Sequence, residues 1–180
     1  MCIPLSGIIC RPMNGDSPRI IYGEYTDSYE TLIALHDLRE GPNTENFARF
    51  EYSPKDPKVG DWGDCRLKID EPMRPGWLDD EVLGNLQGAC ENWVKRITIS
   101  ENRKAIAGGT WIIAGKVKID RAENCRFFVG KGSDLTLGDI STVVAFGGVS
   151  GTVTTGYVSG TVTTGDVSGT VATGSVKSTT

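Results

Sequence analysis

From position 149 the chain reads VSGTVTTGY (149–157), VSGTVTTGD (158–166) and VSGTVATGS (167–175), and a fourth copy starts at Val176. A unit of nine repeated almost letter for letter means stacked identical units rather than an ordinary globular core. Gly, Ser, Thr and Val are poor or middling helix formers, whereas β-branched Val and Thr suit a pleated surface. In an extended copy, Val149, Gly151, Val153 and Thr155 share one side and Ser150, Thr152 and Thr154 the other. Nine is odd, so an unbroken strand would turn successive copies to opposite faces. The Gly156-Tyr157 corner must reset the phase, giving one short strand and one turn per copy and a coil of two copies. Calcium-binding nonapeptide rolls need Gly-Gly-x-Gly-x-Asp. Asp166 is the sole carboxylate of the three copies, so no calcium and no other metal is expected.

Upstream, the strand-like segments ITIS, TWIIAGKVKI, RFFVG, DLTLG and TVVAFG succeed one another between Ile97 and the repeats. Gly, Asn and Asp separate them, as turns require. They extend the repeats into one β-solenoid (β-helix) over residues 97–180. The Gly-rich stretches GGTW (108–111) and VGKGSD (129–134) lack phosphate-loop spacing and lead into no helix, so they read as solenoid corners. Trp77 to Arg96 has the clearest helical pattern in the chain. Leu78, Val82, Leu86, Ala89, Cys90, Trp93 and Val94 keep to one face, with Asp79, Asp80 and Glu81 in the first turn and Lys95 and Arg96 at the end. This amphipathic helix (77–96) is expected to cap the first coil, since solenoids need their end coils covered.

Residues 1–76 read as a small α+β head. IPLSGIIC (3–10) and RIIYGEY (19–25) suggest a hairpin. Asp27 and Ser28 open a helix, with Glu30 at capping-box spacing. Its face is Tyr29, Leu32, Ile33, Leu35 and His36, and Gly41-Pro42 ends it. Phe47, Phe50 and Tyr52 mark a strand, Ser53 to Asp64 a loop, and Cys65 to Ile69 another strand.

The 180 residues carry a net charge of -4, with no general attraction to nucleic acid or anionic membranes. Five scattered cysteines and an N-terminus (MCIPLSGIICRP) without an apolar core predict a reduced, cytoplasmic setting. No apolar run approaches the roughly 20 residues that span a bilayer. His36 is the single histidine, so spacing supports no zinc site. A thiol–histidine enzyme using Cys65, Cys90 or Cys125 with His36 is one rival reading, with a helix histidine as its bland counterpart. Asp61, Asp64, Asp70, Glu71, Asp79, Asp80 and Glu81 concentrate acid locally, but Arg66, Lys68 and Arg74 interrupt them, as on a solvated face. No catalytic residue and no cofactor is assigned.

WLDDEV (77–82), the helix, GGTWIIAGKVKI (108–119) and the Val-Gly-Thr repeats together resemble a class of bacteriophage-type proteins. In these a short helical leader precedes β-helical or pentapeptide-like repeats. The resemblance covers Trp77 to Val176. The nonapeptide departs from the A(D/N)LXX pattern of pentapeptide repeats, so a DNA-mimic role does not carry over. A regular, nearly uncharged β surface without an assembled catalytic set points to a non-enzymatic assembly or partner-binding protein of this phage type, cytoplasmic, and in the host-cell cytoplasm if viral. A nearly uncharged β surface ending in an open edge favours homo-oligomers. Val149, Val153, Val158, Val162, Val167 and Val171 are its expected oligomerisation surface. Trp62, Trp77 and Tyr157 are the expected contacts to a host protein or small-molecule ligand. The rivals are a viral counter-defence protein that sequesters a host effector or a small signalling nucleotide, and a virion structural component.

Overall fold

The computed structural model describes residues 5–12, 16–26, 28–38, 46–56, 60–140, 142–158 and 160–174. Asp27, Gly41, Pro42 and Val176 lie outside them. The chain forms two compact units, Pro4–Ser53 with Arg66–Trp93, and Pro54–Cys65 with Val94–Thr180. The segment Pro54–Cys65, which the sequence places in the head, thus belongs with the solenoid.

The first unit holds β1 (Leu5–Cys10), β2 (Arg19–Tyr22), the helix α1 (Tyr29–Leu35), β3 (Phe47–Pro54), β4 (Cys65–Ile69) and the helix α2 (Asp80–Ile97) as far as Trp93. Its sheet runs β2-β1-β3-β4, and β1 pairs antiparallel with both neighbours. Ser28 caps α1: its hydroxyl accepts from the Thr31 amide at 3.2 Å and donates to the Glu30 carboxylate at 2.9 Å. This satisfies a backbone donor that the helix start leaves open. Leu32 is buried on that helix. Leu35, expected on the same face, is instead 72% exposed, because α1 ends there with His36 as its C-cap. α2 begins three residues later than the Trp77 expected from sequence, with Asp79 accepting from the Val82 amide at 2.9 Å as its cap. Trp93 is buried against Tyr22, their ring centroids 4.5 Å apart.

The second unit is a two-sheet parallel β-solenoid. β5 (Thr98–Ile99), β7 (Thr110–Ile113), β9 (Cys125–Val129), β11 (Val143–Val149) and β13 (Thr161–Val167) form one sheet. β6 (Arg103–Ala107), β8 (Lys116–Glu123), β10 (Asp134–Leu137), β12 (Thr152–Thr155) and β14 (Thr170–Thr173) form the other. Successive strands lie in each sheet alternately, so each repeat copy supplies one strand and two copies complete a coil. Thr152 stands opposite Thr170 and Ser168 hydrogen-bonds Ser150, both at the 18-residue step that two nonapeptides dictate. β6 has no counterpart among the expected strands, since RKAIA shows little apolar signal. The expected strand TWIIAGKVKI is broken at Gly115, whose φ of +77° suits glycine and turns the chain from one sheet to the other.

The interior is a ladder of aliphatic and aromatic columns. Ile113, Val129, Val149 and Val167 align in one sheet, and Val117, Leu135, Val153 and Val171 in the other. This overturns part of the expected oligomerisation surface. Val149, Val153 and Val158 are 1%, 0% and 5% exposed and belong to the interior. Closing the coil turns the valine side inward, where burial stabilises by about 25 cal/mol per Å² of apolar surface. Val162 and Val171 also point inward but are only half-buried, and Val167 is 45% exposed.

Candidate functional site

With the valines inside, the outer faces belong to the alternate residues. On the sheet containing β12, one outward row runs Lys116, Asp134, Thr152, Thr170 and the next Lys118, Thr136, Thr154, Ala172. The early coils pair their charges locally. Lys118 lies 3.3 Å from Asp120, Arg121 3.3 Å from Glu123, and Lys116 3.9 Å from Asp134. From β12 onward the rows become hydroxyls and a methyl. The face therefore passes from charged to neutral along the solenoid.

The other sheet is partly covered. Phe127 and Phe128 are adjacent, so one must face outward; Phe127 packs on Phe146 in the interior, and Phe128 is the outward one. Trp62 meets Phe128 edge-on at 5.1 Å, and the Arg126 guanidinium lies 5.2 Å from the same ring. The loop carrying Trp62 is closed at its neck, where the Lys55 amide donates to the Asp64 carbonyl at 2.9 Å and their side chains pair at 2.7 Å. Trp62 is thus half-buried on the solenoid rather than held out in solvent. Two consecutive phenylalanines in a strand were the available sign that something covers the outer face here.

Tyr157 occupies the corner between β12 and β13 and is 41% exposed. Its amide donates to the Asp139 carboxylate at 2.9 Å, which fixes that corner to the coil below. Trp77 is half-buried just before α2, and its indole nitrogen is buried without a hydrogen-bond partner among the described residues. Trp62 and Tyr157 belong to the solenoid unit and Trp77 to the first unit.

The far edge is open. β13 and β14 are the outer strands of their sheets, and among the described residues nothing pairs beyond them. The opposite edge differs: β5 has two residues, and β6 carries exposed Arg103 and Lys104.

The thiols and His36 stand apart from one another in chemistry as well as in sequence. Cys90 is wholly buried. Cys125 is buried, its sulfur 3.2 Å from the Glu123 carbonyl oxygen, and burial pushes its pKa up. A thiol held protonated is a poor nucleophile. Cys65 lies with its sulfur 3.4 Å from the Trp62 carbonyl oxygen. His36 accepts at Nδ1 from Arg19 at 3.0 Å, and that arginine stands opposite Cys10 across the β1–β2 pair. Nearby, a cleft of about 450 Å³ is lined by Cys10, Arg11, Asp16, Arg19, Asp37 and Phe47 among others, a grouping the sequence spacing did not signal.

Most of the acids singled out in the sequence are taken up by neighbours. Glu71 pairs with Arg49 at 3.2 Å, Asp70 with Lys68 at 3.3 Å and Asp80 with Arg74 at 2.9 Å. GGTW and VGKGSD form corners between β6 and β7 and between β9 and β10. No helix among the described residues is long and apolar enough to cross a membrane. No family model, curated protein or solved structure matches the chain.

Proposed function

We propose that this protein is a non-enzymatic assembly and partner-binding module of bacteriophage type, acting in the host-cell cytoplasm, with the solenoid as its rigid interaction and oligomerisation surface. One observation carries the reading: the charged early coils give way to later ones whose one formal charge between 143 and 174 is Asp166, ending in a two-strand edge that no described residue pairs. Charge on the early coils resists association, and its loss towards the edge confines association to one end. Removing residues 149–180 is the direct test. The shortened protein, if still folded by circular dichroism, gives a lower mass by light scattering than the full chain, by more than the deleted residues account for. A difference no larger than the deletion itself overturns the proposal.

A second reading is favoured by the cleft beside Arg19 and His36. Its mixture of two arginines, two aspartates and an aromatic ring suits a small polar ligand, as a sequestering counter-defence protein would need. Mass spectrometry of the purified protein under native conditions tests it. A stoichiometric small molecule supports capture, and a bare chain argues against it.

A further inference from the structure

We infer that the open edge formed by β13 and β14 pairs with the same edge of a second copy about a two-fold axis, extending both sheets antiparallel across the junction. This pairing rests on the assembly reading and supplies its partner and geometry.

The first ground is how the two ends of the solenoid treat their edges. An exposed strand edge invites pairing, and proteins that stay apart blunt it with charge, proline, bulges or short strands. The β5–β6 end is blunted in two of these ways, by a two-residue strand and by Arg103 and Lys104. Among the described residues the β13–β14 end has no two-residue strand and no basic pair, and Asp166 on β13 is its one formal charge. β13 is seven residues long and β14 four, and residues 149–174 contain no lysine, arginine or proline.

The second ground is the unfinished interior. One coil below the edge, Val144, Val149 and Val153 are at most 1% exposed. Their register partners at the edge are Val162, Val167 and Val171, which are half-buried, 45% exposed and half-buried. The difference is that no described strand forms a layer above them. What fits there is a coil whose inward positions are again β-branched aliphatics. A second copy supplies them in the same three valines, since a two-fold axis perpendicular to the sheets keeps inward residues inward.

The blunted ends decide between geometries. Head-to-tail stacking would set the seven-residue β13 against the two-residue β5, leaving most of its edge unpaired, and would propagate into filaments. An isologous contact matches long edge to long edge and closes as a dimer. The outer face of β12 and β14 is not needed, because its threonine hydroxyls remain hydrated.

The test uses the full chain. Light scattering over a range of concentrations is expected to give twice 19.4 kDa. Val171→Lys, which puts a charge in the junction, halves that mass. Thr154→Lys, on the outer face, leaves it unchanged. Should Val171→Lys unfold, hydrogen exchange on the unmodified protein decides instead: Thr170–Thr173 amides lose protection on dilution while those of β12 keep it. A dimer split by Thr154→Lys but not by Val171→Lys, or species that grow with concentration, overturns the edge pairing and leaves the assembly reading standing. A monomer at every concentration overturns both.

Discussion

Gly169 lies directly over Gly151, so close that a methyl group on Gly169 would sit 2.0 Å from the Gly151 carbonyl oxygen. The relation recurs one coil down, where a methyl group on Gly151 would sit 2.1 Å from the Ser133 carbonyl oxygen. The third position of the nonapeptide is glycine because the corner below leaves no room for a side chain. Gly151→Ala therefore forces the corners apart and costs about 1–3 kcal/mol. Gly84→Ala in α2, where nothing stands within 4 Å, gains about 0.5–1 kcal/mol from helix propensity. Urea unfolding of the two variants checks the contrast, and equal midpoint shifts would sink the packing explanation.

Much of the solenoid is legible in the repeat alone. Its odd period demands one corner per copy and a coil of two copies, and the 18-residue register bears that out. Alternation divides Val153 from Thr154 but does not say which faces the interior, so the valines serve equally well as an outer surface until the coil is closed. Closure decides the matter by burying the larger apolar set. β6 stays hidden because Arg103 and Lys104 mask its alternation, although β8 recruits it as a partner. The seat of Trp62 is out of reach for another reason: Phe128 is 66 positions away in sequence, and nothing in the loop marks the distance. The cleft beside Arg19 likewise arises from strand pairing, which puts Arg19 opposite Cys10.

Phe127 and Phe146 stack in the interior with centroids 6.0 Å apart, an aromatic contact between adjacent coils of this sheet. Phe146→Ala leaves a cavity between β-strands that cannot collapse without breaking the register on both sides. The expected loss is about 3–5 kcal/mol. Phe146→Leu, which fills most of the volume, costs less. Calorimetry or denaturant unfolding distinguishes them, and an alanine variant as stable as the leucine one contradicts the tight interior.

Trp62 is predicted to act on stability through Phe128. Trp62→Ala costs about 1–2 kcal/mol, of which about 0.5–1.5 kcal/mol is the ring pair itself. In a double-mutant cycle with Phe128→Ala the two losses are less than additive by that pair term. Hydrogen exchange in residues 60–65 rises in both single variants. Strictly additive losses would show that the loop is held by other contacts, and would return Trp62 to the role of a partner contact.

Alkaline pH should destabilise the protein through groups whose ionisation the fold opposes. Burial raises the pKa of Cys10, Cys125 and Tyr29 above their ordinary values, with Arg19 partly countering the rise at Cys10. In the unfolded chain these groups lose their protons first, so above their ordinary pKa the unfolded state binds fewer protons than the folded one. Stability is then fully present at neutral pH and declines as pH climbs past about 9, where thiols ionise. Denaturant unfolding at a series of pH values from neutral to about 10 tracks the decline. Cys125→Ala lowers stability by lost packing at every pH but flattens the slope above about pH 9, because one of the opposing groups is gone. An unchanged slope in that variant would assign the alkaline loss to the other groups with raised pKa, Cys10, Tyr29, Lys55 and Lys68. A flat profile in the unmodified protein would mean that the thiols ionise as readily folded as unfolded.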